Sequence, residues 1–141
     1  NYLIDIGGEI IVNGSKHGEP WTIGIQSPSA VNNEPDAQIR SNKFLAIATS
    51  GEYRNFKLND NGVVTSHTFI PEIQKSIIDK SYSVTVISDI SSMSADAWAT
   101  ALNALGPNKG IKLANKHNIS VMYIMQENNM MIKSNYWNYN D

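Results

Sequence analysis

The feature that most constrains how this chain can fold is a strand-then-helix unit in its second half. Tyr82-Ser83-Val84-Thr85-Val86-Ile87-Ser88 reads as a strand. It leads into Ser94-Ala95-Asp96-Ala97-Trp98-Ala99-Thr100-Ala101-Leu102, which reads as a helix whose Trp98, Leu102 and Leu105 recur at helical spacing toward a core. Ser92 or Ser94 is placed to cap the helix start, and Gly106-Pro107 to stop it. Pro107 is suited to open a second helix running through Ala114.

Upstream of this unit the pattern is mainly strands. Residues 2–12 read as one strand with the pair Gly7-Gly8 in its middle, and the turn-rich residues 13–20 connect it to a second strand over 21–26. These two are expected to form a hairpin. Residues 27–41, with Pro28, Pro35 and Asn32-Asn33, read as a surface loop. Strands over 44–50 and 53–58 follow, broken at Ser50-Gly51, and Asn59-Asp60-Asn61-Gly62 turns the chain into a strand over 63–69. A loop holding Pro71 then leads to Tyr82. Residues 119–125 and 130–133 make a last hairpin, in which Met122, Met125, Met130 and Met131 are expected to pack. The expected fold class is α+β: a mainly antiparallel sheet with helices packed on one face.

Composition narrows the function classes. A chain of 141 residues, 41% hydrophobic and 17% charged, fits one globular domain, and it shows no internal repeat or linker. A net charge of −2 with scattered Lys and Arg argues against nucleic-acid binding. The absence of Cys excludes disulfides, thiolate catalysis and thiolate metal sites. No apolar run approaches bilayer length. The chain begins at a strand-like segment without Met, as a piece of a longer protein would.

Several residues carry candidate chemistry. Asp96 and Thr100 lie four apart, so a helix presents a carboxylate and a hydroxyl side by side, an oxygen pair suited to Mg²⁺, which completes its octahedron with water and substrate phosphates. The plainer alternative is an acid favouring the helix N-terminus and a Thr bonding a preceding carbonyl. Gly7-Gly8 inside a strand marks either a bulge or a place where a ligand lies against bare backbone. Thr49-Ser50-Gly51 is either a strand-to-strand turn or a corner offering N–H groups and hydroxyls to a phosphate. His17 and His117 read as solvated surface residues, whereas His67 ends a strand beside Ser66.

Taken in order, five segments resemble one family. They are Asn1-Tyr2-Leu3-Ile4-Asp5-Ile6-Gly7-Gly8-Glu9-Ile10, Gly18-Glu19-Pro20-Trp21-Thr22-Ile23-Gly24-Ile25-Gln26-Ser27-Pro28, Ala46-Ile47-Ala48-Thr49-Ser50-Gly51-Glu52-Tyr53-Arg54-Asn55-Phe56, Ser66-His67 with Pro71, and Ala95-Asp96-Ala97-Trp98-Ala99-Thr100-Ala101-Leu102. The series, covering Asn1 to about Met125, resembles the C-terminal half of the ApbE family, the Mg²⁺-dependent FAD:protein FMN transferases. The resemblance implies an incomplete flavin transferase fold whose N-terminal half supplies the rest of the flavin pocket. It implies that Gly7, Gly8, Glu9, Thr49, Ser50 and Gly51 border FAD, that Asp96 and Thr100 hold Mg²⁺, and that His67 activates or orients an acceptor hydroxyl. FMN would pass from FAD to a threonine of an acceptor protein in a respiratory or electron-transfer complex, with release of AMP.

The resemblance also implies a place on the outer side of the bacterial cytoplasmic membrane, commonly as a lipoprotein anchored through a segment absent here. After His67 the chain departs from the pattern: Ile70-Pro71-Glu72-Ile73-Gln74 lacks the usual Asp before the proline and the Thr-Gly after it. That departure keeps two alternatives open, an FAD pyrophosphatase giving AMP and FMN and a catalytically decayed FAD-binding domain.

Overall fold

The structure, a computed structural model, describes residues 1–26, 28, 35–51, 56–58, 64–66, 68–70, 74–76 and 82–139. The strands in chain order are β1 (Tyr2–Ile6), β2 (Glu9–Asn13), β3 (Ser15–Lys16), β4 (Glu19–Ile25), β5 (Ala37–Ser41), β6 (Leu45–Gly51), β7 (Phe56–Leu58), β8 (Val64–Ser66), β9 (Phe69–Ile70) and β10 (Lys75–Ser76). They are followed by β11 (Tyr82–Ser88), the helix α1 (Ser92–Lys116), β12 (Ser120–Met125) and β13 (Met131–Lys133).

The principal sheet is antiparallel throughout, in the order β1-β2-β6-β11-β12-β13. Its central strands bury both faces: in β11 the polar Ser83 and Thr85 are as fully buried as Val84 and Val86 between them. On one face, Ala46, Ala48, Val84, Val86, Val121 and Tyr123 pack against Ala95, Ala99, Leu102 and Ala114 of α1. On the other face, Val12, Leu45, Ile47, Ile87, Met122 and Ile124 pack against Ile23, Ile25, Ala37 and Ile39 of the β4–β5 hairpin. The expected α+β class, with helix on one face, is what forms; the hairpin covering the second face is a feature the sequence pattern did not reveal.

Several local expectations are corrected. Residues 2–12 are two strands, because Gly7 and Gly8 take φ of 67° and 104° and form a tight reversal, with Tyr2 opposite Asn13 and Ile6 opposite Glu9. Left-handed φ at both central residues is what matches a two-residue turn to the twist of its strands, so the glycines close a hairpin instead of interrupting a strand. The strand expected at 21–26 pairs with β5 and not with the first strand. The expected loop over 27–41 ends in a strand, since Ala37 and Ile39 point inward while Gln38 and Arg40 point out. Pro28, Pro35 and Asn32-Asn33 outweighed that short alternation in the sequence. The single strand expected over 63–69 is divided between β8 and β9.

The helix end signals hold better. Gly106, at φ 72° and ψ 170°, kinks α1 at the expected stop, and Pro107 opens its second half. The N-cap is Ser91 rather than Ser92 or Ser94: its hydroxyl accepts from the Ser94 amide at 3.1 Å. Leu105, expected in the core, is 40% exposed because it lies at the kink.

That kink is clasped from the sheet. An unbroken helix would satisfy the Asn103 carbonyl with the amide of residue 107, but Pro107 has none. The Tyr82 hydroxyl donates to the Asn103 carbonyl instead, at 2.8 Å, and the Tyr123 hydroxyl donates to the Leu102 carbonyl at 2.7 Å. The two rings meet edge to face with centroids 5.7 Å apart. A Cβ on Gly110 would collide with the Tyr123 hydroxyl, so glycine is needed there for close approach.

Candidate functional site

The helix positions the oxygen pair. With about 100° between successive residues, Ser94 and Trp98 project from one flank of α1, Ala95, Ala99 and Leu102 from its buried face, and Asp96 and Thr100 from the opposite flank. Asp96 and Thr100 are both exposed. Trp98 stacks on His117, just before β12, with ring centroids 5.5 Å apart. The flank bearing Asp96 and Thr100 is therefore turned the other way, toward the β2 and β1 edge of the sheet.

That edge carries an apolar stripe. Ile4 lies opposite Ile11, which packs on the helix-side core, so Tyr2, Ile4 and Ile6 share the helix-side face by strand alternation. They remain 41%, 46% and 72% exposed, although the neighbouring strands are buried. A shelf thus lies on the helix side of the sheet, bounded by the Asp96–Thr100 flank and by this stripe. The sequence contained its signal, the apolar residues at 2, 4 and 6, but they read as ordinary strand packing.

The other expected site residues are partly brought together. β2 pairs with β6 only from Ile10–Ile47 to Val12–Leu45; continuing the register places Gly8 level with Thr49, at the same end of the sheet. Gly7, Gly8 and Glu9 therefore border that end as a hairpin tip, with the Gly8 amide donating to Asp5 Oδ1 at 3.0 Å. Ser50 continues the Ala46 and Ala48 row facing α1, whereas Thr49 faces the opposite side, where its hydroxyl pairs with that of Thr85 at 2.8 Å. Thr49 and Ser50 thus serve different faces and do not form one wall. Ser83, paired with Gly51, has a fully buried hydroxyl with no partner among the described residues. His67, like Tyr53 and the centre of the departing loop at 71–73, lies outside the described residues.

No group of three or more His, Asp or Glu side chains converges as a metal cage among the described residues. A carboxylate and a hydroxyl side by side on an exposed helix flank still fit Mg²⁺, a hard cation that takes one or two protein ligands and fills the rest of its octahedron with water and phosphate oxygens. They do not fit a soft or all-protein metal centre.

A family model described as the ApbE family matches residues 1–124. The FAD:protein FMN transferase of Vibrio cholerae is 39% identical over 127 residues, covering 89% of this chain and 37% of the relative. That of Klebsiella pneumoniae is 35% identical, with 89% and 35% covered. Among solved structures, the flavin transferase ApbE of Vibrio cholerae superimposes with a TM-score of 0.77 at 33% identity, covering 97% of this chain and 43% of that one. The ApbE protein of Thermotoga maritima gives 0.77 at 25% identity, with 95% and 42% covered. The chain spans less than half the length of these relatives.

Proposed function

The chain belongs to the ApbE family, and from that premise we propose that it forms part of an Mg²⁺-dependent FAD:protein FMN transferase. The observation that carries this reading is the exposed oxygen pair of Asp96 and Thr100 on a helix flank that overlooks the open shelf. The names of the relatives support flavin transfer as the reaction.

In this reading FAD lies along the shelf with its diphosphate toward Asp96 and Thr100, while the Gly7-Gly8-Glu9 tip and Ser50-Gly51 border the flavin end. Thr49, on the opposite face, acts by holding β6 to β11 through Thr85. Mg²⁺ held by Asp96 and Thr100 would offset the charge of the diphosphate. The hydroxyl oxygen of an acceptor threonine attacks the FMN phosphorus; the new P–O bond forms as the bond to AMP breaks. The hydroxyl proton passes to His67, a residue type suited to proton transfer near neutral pH.

We further propose that the additional polypeptide of the relatives, an N-terminal half, covers Tyr2, Ile4 and Ile6 and completes the pocket. An exposed apolar edge strand is a ready surface for such an addition. The acceptor belongs to a respiratory or electron-transfer complex, and the whole protein works on the outer face of the bacterial cytoplasmic membrane as a lipid-anchored enzyme. Among the described residues no helix is long and apolar enough to cross a membrane.

The test is to incubate the longest natural form of the polypeptide with FAD, Mg²⁺ and an acceptor domain, then weigh the denatured acceptor. A gain of one FMN residue that is lost in Asp96→Ala supports the transferase and the metal role together. Release of AMP and free FMN without a mass gain supports the pyrophosphatase instead. Tight FAD binding with neither product supports a decayed binding domain.

A further inference from the structure

On the flank of α1 opposite Asp96 and Thr100 lies a second cavity of about 350 Å³, within the range of small-molecule sites. Its lining includes Asp89, Trp98, His117, Tyr136 and Tyr139. Because Ser94 and Trp98 line it while Asp96 and Thr100 project from the other side of the same helix, this cavity is separate from the shelf assigned to FAD.

We propose that this cavity is a binding site for a small organic ammonium cation. Three aromatic side chains, Trp98, Tyr136 and Tyr139, line one space together with a carboxylate, and no Lys or Arg is among the described residues that line it. Aromatic faces attract cations through the ring quadrupole, and a cage of rings with one acid is the arrangement that holds alkylated ammonium groups. Besides Asp89 and the two tyrosine phenols, the titratable side chain among the described residues lining the cavity is His117. It is drawn against the Trp98 ring, 5.5 Å away.

The walls are fixed before any ligand arrives. The Ser88 hydroxyl accepts from the amides of Ile90 at 3.1 Å and Ser91 at 3.4 Å, which sets the turn bearing Asp89. The C-terminal wall is pinned by Ser134, whose hydroxyl donates to the Ile119 carbonyl at 2.8 Å and accepts from the Val121 amide at 3.1 Å. The Asn135 amide donates to Asn115 Oδ1 at 2.8 Å. Trp137 packs edge to face on Tyr139 and donates to its carbonyl, orienting that ring. Burial first, then the Asp89 carboxylate, pushes the Tyr139 phenol above its ordinary value, so the ring stays neutral beside the acid. Such preorganisation lowers the cost of binding.

The experiment titrates the longest natural form of the polypeptide with choline and with 3,3-dimethyl-1-butanol, its uncharged isostere, at pH 8, following the indole N–H resonance of Trp98 assigned with Trp98→Phe. Choline is expected to bind saturably and about 5-fold or more tighter than the alcohol, a ratio set by the cation–π and carboxylate attraction. Asp89→Asn and Tyr139→Leu are each expected to weaken choline by several-fold while leaving the alcohol unchanged. Equal affinity for the two isosteres, or no saturable shift of the Trp98 signal, overturns the proposal without reference to any variant's folding. Because the readout involves neither FAD nor Mg²⁺, its failure is distinct from failure of the transferase reading.

Discussion

The two ends of the principal sheet are finished to different degrees. The middles of β11 and β12 are buried on both faces, and the Asn103 carbonyl freed by Pro107 and the Leu102 carbonyl beside the kink are met by the hydroxyls of Tyr82 and Tyr123. At β1 the outer edge has no strand partner among the described residues, and Tyr2, Leu3, Ile4 and Ile6 remain exposed. Around the kink the first region satisfies its own groups. The second leaves apolar side chains exposed, and the exposed oxygen pair faces that side. The contrast teaches where stability and function separate: substitutions around the clasp should cost folding free energy, whereas substitutions on the shelf should cost association and chemistry.

The largest effect tests the closed end. Leu102→Ala removes a fully buried side chain between α1 and the sheet, and is expected to destabilise by about 2–5 kcal/mol in urea unfolding. Gly110→Ala drives a methyl group into the Tyr123 hydroxyl and is expected to cost about 1–3 kcal/mol. Tyr123→Phe leaves the Leu102 carbonyl without its donor, costing about 1–3 kcal/mol. The two are expected to be non-additive, since losing the hydroxyl relieves the collision; strict additivity in the double mutant would break the clasp description.

The same tyrosine predicts a pH dependence. Burial, then the neighbouring Tyr82, raises the Tyr123 phenol well above its ordinary value of 10.0. The unfolded chain ionises this group from pH 10 upward while the folded chain keeps its proton, so this contribution is fully present below pH 10 and is lost as pH rises beyond it. Tyr123→Phe should flatten that alkaline decline; an unchanged slope in urea melts from pH 9 to 11 would contradict the assignment.

Effects on stability become small at the open end. Ile4→Lys with Ile6→Lys should change unfolding by no more than about 0.5 kcal/mol, because both side chains are already exposed. The same pair should abolish co-purification with a separately expressed N-terminal half. Asp96→Asn should be equally silent in unfolding while removing Mg²⁺-dependent FMN transfer. A loss of several kcal/mol in either case would show that the open end is structural after all.

What could be read in the sequence follows from the range of the forces involved. The 82–105 unit was legible because strand composition and helix caps act within a few residues. Gly7-Gly8 was legible as special backbone but misassigned, since a glycine pair with positive φ serves a bulge and a turn alike until its neighbours are paired. The β5 strand was hidden because five residues of alternation carry less signal than the two prolines before it. Asp96 and Thr100 were legible as neighbours by helical spacing alone. The division of Thr49 from Ser50 followed from strand alternation, but which face each joins depended on where α1 lies.

By itself the sequence determined the strand–helix unit, the kink at Gly106-Pro107, the pairing of Asp96 with Thr100 and the resemblance that led to the family. These depend on local spacing and on motif order. Only the tertiary structure decided that the β4–β5 hairpin covers the second face, that the Tyr82 hydroxyl replaces the amide Pro107 lacks while Tyr123 meets the neighbouring carbonyl, and that an apolar edge flanks the oxygen pair while an aromatic cavity lies behind it. Each of those joins residues far apart in the chain, and such contacts are fixed by burial and hydrogen-bond satisfaction summed over the whole fold.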